Sequence, residues 1–362
     1  MKSLRLSFAA LLTGVLGLDA AMASTIVLGG YPDELQLVDS ETGAVTDRVK
    51  LQTGLPTSMH PSSDGSLIYV TTNTTSGIEV FDVATRRIIN QFSLNTPMRR
   101  YRFNGGVPDP TGRYFYILGN QIDRERDRYR VSKTQFMVVD LQEERVVRTV
   151  AVEPQDERLL GRAQMVMSDD GETLYVFRDK VLIVDTAELK VVERIDLAKP
   201  ESPGMRDVVF GSALETLRRP GEYVSLFNSE DPFVQNETFG IARFDLASRR
   251  VSYTPIGPAP DRMAGLEVTP DGRYGYTVAS NGAQGNITCE FWRFDLQTNR
   301  AVNRADFPCR TRFYFAMSEN GEKLYIYGAG FDIAVYDAET LRPEADWELT
   351  NDITMAGMLF IP

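Results

Sequence analysis

The sequence predicts an all-β protein, a seven-bladed β-propeller of four-stranded blades that is closed by pairing of its N- and C-terminal strands. Three features lead to this prediction: a strand that ends in aspartate and recurs along the chain, a recurring Gly-containing turn ahead of it, and an incomplete blade at each end. Together they are typical of a ring of similar small sheets.

The first feature is a short apolar stretch closed by an aspartate, which occurs seven times. Its copies are LQLVD at 35–39, IEVFD at 78–82, FMVVD at 136–140, VLIVD at 181–185, IARFD at 241–245, FWRFD at 291–295 and IAVYD at 333–337. Consecutive aspartates lie 42 to 60 residues apart, the period expected of propeller blades. An aspartate side chain accepts backbone N–H groups just beyond it, so we interpret these residues as turn formers and not as catalytic acids.

The second feature is a Gly-containing pair that precedes most copies of this strand. The pairs are Asp64-Gly65, Thr111-Gly112, Asp170-Gly171, Asp271-Gly272 and Asn320-Gly321. They predict tight hairpins between strands one and two, in which both central residues adopt positive φ. The interval 186–245 has no clean pair, so the blade there is the least clearly defined.

The third feature lies at the two ends of the chain. The segment ITMAGMLFI at 353–361 reads as an inner strand with nothing after it, whereas TIVLGG and LQLVD near the N-terminus read as second and third strands. Pairing the two ends would complete one blade and remove two exposed sheet edges.

The first 23 residues have the pattern of an export signal. Lys2 and Arg5 precede an apolar run at 6–18, and Ala21-Met22-Ala23 forms a small-residue cleavage site. The apolar run is shorter than the roughly 18 residues that a membrane anchor needs. We therefore expect a signal peptide at 1–23 that is cleaved near Ala23, a single propeller domain at 24–362, no membrane span, and a periplasmic location.

The chain is acidic overall, and arginine greatly outnumbers lysine among its basic residues. The formal net charge is −11, which argues against general nucleic-acid binding. Of the 39 basic residues, 32 are arginines and seven are lysines. Arginine is favoured in forked ion pairs and in protein interfaces, although a compositional bias would give the same excess.

Several arginines are expected on one face of the ring. Turns between strands one and two and between three and four are short, whereas the remaining loops are long and should gather on one face. The residues that begin inner strands and could surround the channel mouth are Arg102, Arg162, Arg206, Arg262 and Arg312, with Tyr101 and Phe313 as further candidates for facing a partner or substrate. Two interpretations remain open: ion pairing between adjacent blades, or a docking surface for a partner or for anions.

The supply of reactive side chains limits the chemistry of this chain. Cys289 and Cys309 flank one strand segment and are expected to form a disulfide in an exported protein. His60 is the one histidine, so His-rich metal sites and a Ser-His-Asp triad are both disfavoured, while a carboxylate calcium site stays possible. The sequence has no C-x-x-C-H for covalent haem. We assign no catalytic residue and no metal site, and expect His60 to be structural in the first inner strand.

The order of these features resembles one family. The export signal, LQLVDSETG, IINQFSLNTP, VPDPTGRYFYI, IAVYDAETL and the closing inner strand are similar to the beta subunit of quinohemoprotein amine dehydrogenase, with the methylamine dehydrogenase heavy chain a more distant relative. The resemblance covers nearly all of residues 25–362. The disulfide pair and the insertion DRERDRYR at 123–130 depart from the family pattern.

The resemblance implies a noncatalytic role. Beta subunits of that family carry no redox cofactor; they hold a small subunit with cysteine tryptophylquinone and lie beside a dihaem cytochrome c subunit in the periplasm. The complex oxidises primary amines and passes the electrons to an acceptor. Two alternatives remain: a stand-alone exported YVTN-like propeller that binds a protein or an envelope polymer, and a lactonase-like hydrolase with carboxylates at the channel mouth.

Overall fold

The protein forms seven small antiparallel sheets in a computed structural model, which confirms the predicted all-β, seven-bladed propeller. The structure describes residues 24–156, 164–177, 180–196, 209–210, 221–230, 237–283, 285–310, 312–328 and 330–362. The predicted signal peptide and its cleavage site lie outside these residues. Within the described ranges there is no helix, and so none that could cross a membrane.

The first three blades occupy the N-terminal part of the chain. Blade 1 begins with β1 (Thr25–Gly30), β2 (Glu34–Asp39) and β3 (Val45–Lys50). Blade 2 contains β4 (Pro56–Pro61), β5 (Leu67–Thr72), β6 (Gly77–Asp82) and β7 (Arg87–Ser93). Blade 3 contains β8 (Arg99–Pro108), β9 (Tyr114–Arg124), β10 (Tyr129–Val131), β11 (Gln135–Asp140) and β12 (Arg145–Ala151), and β10 extends its second strand into a hairpin.

The next four blades follow the same plan. Blade 4 contains β13 (Gln164–Met167), β14 (Thr173–Phe177), β15 (Lys180–Asp185) and β16 (Lys190–Asp196). Blade 5 contains β17 (Val209–Phe210), β18 (Glu222–Glu230), β19 (Glu237–Asp245) and β20 (Arg250–Pro258). Blade 6 contains β21 (Arg262–Met263), β22 (Glu267–Val268), β23 (Tyr274–Asn281), β24 (Thr288–Asp295) and β25 (Arg300–Phe307). Blade 7 contains β26 (Tyr314–Met317), β27 (Lys323–Tyr327), β28 (Asp332–Asp337) and β29 (Pro343–Glu348).

The last strand, β30 (Ile353–Ile361), returns to blade 1 and closes the ring. It pairs antiparallel with β1 from Thr25 opposite Ile361 to Gly30 opposite Ile353. The C-terminal strand is therefore the inner strand of the blade that the N-terminus begins, as the sequence predicts. No edge of β1 is left unpaired, because β2 covers its other side.

The hydrophobic core of the described residues lies between blades. Seven clusters of buried side chains occur, and each joins two neighbouring blades. Strand β1 shows the principle, because Ile26 and Leu28 pack toward blade 7 whereas Val27 packs toward blade 2. Central strands are buried on both faces, which explains why motifs such as VLIVD are almost uninterrupted apolar runs. Outer strands such as β12 alternate between exposed and half-buried positions instead.

The repeated aspartate closes the third strand of every blade and organises the turn that follows. In Asp39, one carboxylate oxygen accepts the N–H groups of Glu41 and Thr42 and the Thr42 hydroxyl, at 3.1, 2.7 and 2.7 Å. These hydrogen bonds, led by that hydroxyl, lower the pKa of Asp39, and Thr340 does the same for Asp337. The prediction that these aspartates serve turns is confirmed.

The fourth residue after each aspartate adopts the left-handed conformation, with φ between 51° and 72°. These residues are Gly43, Arg86, Glu144, Leu189, Arg249, Asn299 and Leu341. Only one of the seven is glycine, so the aspartate-centred hydrogen bonds must hold residues with side chains in a conformation that costs about 1–2 kcal/mol. Gly43 is required for a second reason: a Cβ atom there would lie 2.1 Å from Cγ of Trp347.

The Gly-containing pairs do form the turns between strands one and two, but the predicted conformation is wrong. Only the glycine has positive φ, for example 70° at Gly65, while Asp64 does not. Each glycine N–H donates to a carbonyl three residues earlier, as Gly65 does to Ser62 at 3.0 Å. The connection is therefore a four-residue loop with one left-handed residue, and not a two-residue hairpin with two. The loops between strands two and three at 31–33 and 73–76 are also short, so the expectation that these loops are long is wrong for blades 1 and 2.

Removal of residues 353–362 is expected to prevent stable folding. The truncation deletes β30 and removes buried side chains from both interfaces of blade 1, including Met358 on one side and Ile361 on the other. Burial of each such side chain contributes about 1.5–3 kcal/mol, so the loss approaches the total stability of a typical domain. Thermal denaturation followed by circular dichroism measures this. Deletion of exposed Pro362 alone is the control, and an unchanged melting temperature in the long truncation would contradict the closure.

Substitution of Gly43 by alanine is expected to cost about 2–4 kcal/mol of unfolding free energy. Positive φ contributes about 1–2 kcal/mol and displacement of the Trp347 ring contributes the rest. Gly65→Ala is the matched control, because φ is similar but no atom lies within 4 Å of the added Cβ, so it should cost only about 1–2 kcal/mol. Urea denaturation compares the two, and equal losses would rule out the contact with Trp347.

Candidate functional site

Where they are described, the loops between strands two and three and those between blades lie on one face of the ring, which we call the loop face. Inner strands begin at this face, so the first residues of β8, β21, β26 and β30 approach it. The predicted arginines Arg102, Arg262 and Arg312 are all exposed here. Arg162 and Arg206 lie outside the described residues.

Arg262 and Arg312 are brought together in one cavity of about 460 Å³ between blades 6, 7 and 1. We call it the arginine cavity and define it by its lining residues: Arg262, Ser280, Ile287, Cys289, Arg310, Arg312, Phe313 and Met355. Three guanidinium groups thus border one concave surface whose remaining lining is mostly apolar. Adjacent blades bring these residues together because each supplies the start of an inner strand or the loop before it.

Two of the three arginines of this cavity lack an acidic partner. Arg310 forms an ion pair with Asp332, with Nη2 and Oδ2 2.5 Å apart. Arg262 and Arg312 make no side-chain hydrogen bond or ion pair with any described residue. The nearest acidic neighbour in sequence, Asp261, accepts the N–H of Gly282 at 2.8 Å instead. The cavity therefore carries an excess of positive charge in a protein whose net charge is negative.

The wall of the arginine cavity is built on the disulfide. Cys289 lies in β24 and is bonded to Cys309, two residues beyond the end of β25. Cys309 immediately precedes Arg310, so the disulfide anchors the loop that carries two of the arginines. Phe313 lies on the other side of this loop and packs edge-on against Phe307, with ring centroids 6.0 Å apart.

Arg102 belongs to a different cavity, so the predicted ring of arginines is not one cluster. Together with Arg100 it lines a space of about 350 Å³ between blades 2 and 3, opposite hydroxyl and amide side chains such as Thr57 and Asn73. Tyr101 also lines this space but packs partly into the core between these blades. The predicted candidates are thus divided between two sites, with Arg262, Arg312 and Phe313 in one and Tyr101 and Arg102 in the other.

The insertion at 123–130 forms a hairpin that extends blade 3 on the loop face. Arg99 opposes Asp123 across β8 and β9 and bonds to it at 2.8 Å, and Glu125 pairs with both Arg128 and Arg130. Arg124 and Arg126 are exposed and form no ion pair among the described residues. Part of this arginine-rich segment therefore holds the hairpin together and part of it is free.

Sequence reasoning did not identify three exposed apolar side chains on the loop face of blades 7 and 1, of which Met355 lines the arginine cavity. Tyr31 is 59% exposed, Phe331 is 54% exposed and Met355 is 41% exposed. They lie in two loops and in an inner strand that come together only in the closed ring. No signal in the sequence distinguishes these residues from the many apolar residues that are buried.

The opposite mouth of the channel holds the single histidine. His60 lies in β4, as predicted, and with Met59, Asp109 and Glu319 it lines a cavity of about 340 Å³. Its Nε2 atom is 3.0 Å from the Ser58 hydroxyl, and its ring lies edge-on to Phe115. Burial lowers the pKa of His60 to about 4, so the imidazole is neutral at neutral pH. Among the described residues, no group of His, Cys, Asp and Glu side chains is arranged to hold a metal ion.

His60 is expected to make the protein less stable as the pH falls. Its folded pKa of about 4 is below the unfolded value of 6.5, so the unfolded chain binds the proton first. Between pH 7 and pH 5 the free energy of unfolding should fall by about 1–2 kcal/mol. Urea denaturation across this range should show a flatter profile for His60→Gln, because the turn aspartates titrate at lower pH. Identical profiles for the two proteins would contradict this assignment.

Comparisons with known proteins support the fold and do not assign a family. No protein-family model matches the chain, and no curated protein matches its sequence. A solved protein of unknown function from Desulfotomaculum acetoxidans DSM 771 is 11% identical, with a TM-score of 0.58, over 94% of this chain and 99% of that one. A putative 6-phosphogluconolactonase from Bacteroides fragilis NCTC 9343 is 13% identical, with a TM-score of 0.53, over 95% and 99%. Dihydro-heme d1 dehydrogenase NirN is 14% identical, with a TM-score of 0.51, over 93% of this chain and 75% of that one. At these identities the likeness extends to the propeller fold alone.

Proposed function

We propose that this chain is a noncatalytic propeller subunit that binds partner proteins through its loop face. In its specific form, the proposal is that it is the non-redox subunit of a periplasmic quinohemoprotein amine dehydrogenase complex. There it would hold a small subunit with cysteine tryptophylquinone beside a dihaem cytochrome c subunit, and the complex would oxidise primary amines. The specific form rests on the sequence resemblance, and the general form rests on the loop face.

The observation that carries the proposal is the unpaired charge on the loop face. Arg262 and Arg312 share a cavity without an acidic partner among the described residues, exposed Met355 lines the same cavity, and exposed Phe331 precedes the partner of Arg310. Arginine, methionine and aromatic residues are enriched in protein interfaces, whereas isolated exposed arginines usually contribute little to the stability of a fold. A surface of this composition is best explained by a partner that covers it.

The cysteine inventory supports placing the redox cofactors on partner subunits. Haem c is attached through two cysteine thiols, and both cysteines of this chain are used in the disulfide between Cys289 and Cys309. The chain therefore has no thiol left for a covalent haem link or for a cysteine-derived quinone. What it offers to such a complex is a rigid ring and a loop face.

The two alternatives have unequal support. A stand-alone exported binding protein would use the same loop face, so only the identity of its partners distinguishes it from the proposed subunit. A lactonase-like hydrolase would need a general base at a channel mouth. His60 is hydrogen-bonded to Ser58, and no described carboxylate bonds to it and orients it, so this alternative is less favoured.

Purification of the tagged protein from the periplasm of its natural host tests the proposal. We expect two further polypeptides to copurify, a small one that stains for quinone and one that stains for haem, together with amine-dependent dye reduction. The same chain produced alone is the control and should reduce no dye, because the electron carriers reside on the partners. A clean monomer without amine-dependent dye reduction would contradict the specific form, and copurification of other proteins or an envelope polymer would favour the stand-alone binder.

A further inference from the structure

We propose that the arginine cavity and the exposed side chains of Tyr31, Phe331 and Met355 form a docking site for an acidic polypeptide segment of a partner protein. The segment would supply carboxylates to Arg262 and Arg312 and an apolar side chain to the adjoining surface. This inference rests on the proposed function, in that it assigns the chemistry of one partner contact to blades 6, 7 and 1.

The three apolar side chains belong to segments that line the cavity or are bonded to residues at its wall. Met355 lines the cavity itself. Phe331 precedes Asp332, which binds Arg310 at the cavity wall. The Tyr31 N–H donates to the Asp352 carbonyl at 2.9 Å, and the Ile353 N–H donates to the Gly330 carbonyl at 2.8 Å. These hydrogen bonds connect the loop that carries Tyr31 and the loop that carries Phe331 to the same segment, residues 352–353.

The charge of the site selects an acidic partner. Arg310 is neutralised by Asp332, while Arg262 and Arg312 have no counter-ion among the described residues. A guanidinium group binds a carboxylate with two parallel hydrogen bonds, which gives both energy and orientation. A nucleic acid would also supply anions, but its charge extends beyond the cavity over a protein whose net charge is −11, whereas a short segment places only a few carboxylates at the arginines. A second copy of this acidic chain would be repelled by the same net charge.

The apolar part of the surface selects a polypeptide over a small anion. A free carboxylate or phosphate would occupy the guanidinium groups and leave Tyr31 and Phe331 uncovered, at 59% and 54% exposure. A peptide segment with an aliphatic or aromatic residue would cover both parts at once. Burying an apolar anchor beside charge-assisted hydrogen bonds is the usual composition of the energetic centre of an interface.

The site is largely preformed, which favours measurable affinity for a short segment. Arg310 is fixed by its ion pair, the disulfide holds the preceding residue, and Phe313 is packed on Phe307. Of the three guanidinium groups, those of Arg262 and Arg312 are the two that no ion pair with a described residue holds. A preorganised site loses less conformational entropy when its ligand binds.

Fluorescence polarisation with a synthetic peptide tests the site. The probe is a fluorescein-labelled peptide of about ten residues in which Glu alternates with Leu and Phe, titrated with the mature protein at low salt. We expect binding that weakens as salt is raised, and no binding of a peptide with Lys in place of Glu. The double variant Arg262→Gln/Arg312→Gln should bind about tenfold more weakly or worse. Neither arginine supports another described residue, so the variant should fold normally, which its melting temperature checks.

Two further variants make the test specific. Arg124→Gln/Arg126→Gln removes the same charge from exposed, unpaired arginines of the blade 3 hairpin and should change the affinity by no more than about twofold. Phe331→Ser should weaken binding while leaving both arginines in place. Absence of binding to the unaltered protein, or an equal loss in the hairpin variant, would overturn the proposal. So would full competition by citrate combined with no effect of Phe331→Ser, because the site would then bind small anions.

This experiment separates the inference from the proposed function. It needs no native partner, so peptide binding that depends on Arg262 and Arg312 would stand even if no quinone-bearing subunit copurified. Conversely, a native amine-oxidising complex could be recovered while the peptide fails to bind. In that case the proposed function would hold and the docking site would lie elsewhere on the loop face.

Discussion

The packing of each blade on its two neighbours is the interaction on which the rest of the structure depends. A single blade has two apolar faces and cannot bury either one alone, so every central strand contributes side chains in both directions. The ring must therefore be complete before both faces of every blade are buried. Blade 1 is the one blade assembled from both chain ends, and β30 supplies buried residues to both of its interfaces. The stability of all seven blades therefore depends on the backbone pairing between the N- and C-terminal strands.

The two faces of the ring have different roles because different constraints act on them. On one face, each turn between strands three and four needs an aspartate and a left-handed residue four positions later. Each fully described turn between strands one and two needs a glycine. Little variation is possible there. On the loop face the connections are not bound by a common turn geometry, which leaves room for the blade 3 hairpin and for the arginine cavity. The scaffold is therefore specified by repetition and the candidate site by departures from it.

The same division explains what the sequence could predict. Seven aspartates at regular intervals fixed the number of blades, and the two incomplete ends predicted their pairing, because both are periodic or one-dimensional signals. The predicted turn conformation was wrong because an Asx-Gly pair fits either a two-residue or a four-residue connection. Only the backbone dihedral angles distinguish the two. Arg262 and Arg312 could be placed near the loop face from their positions at inner strands. Their common cavity, the separation of Arg102 from it, and the exposure of Phe331 depend on contacts between blades that no local pattern contains.

The arginine excess itself has two structural explanations in different parts of the molecule. Away from the arginine cavity, some arginines bridge blades as the ion-pairing interpretation expects, for example Arg249 of blade 5 with Glu193 of blade 4, while others, such as Arg124 and Arg126, are exposed and unpaired among the described residues. What distinguishes the arginine cavity is that its unpaired arginines share one concave surface. Arg262 and Arg312 remain without an acidic partner among the described residues, although the formal charge of the protein is −11. Two neighbouring arginines without counter-ions form a local positive surface on an acidic protein. This surface is complementary in charge to an acidic partner, which is the physical basis of the docking site.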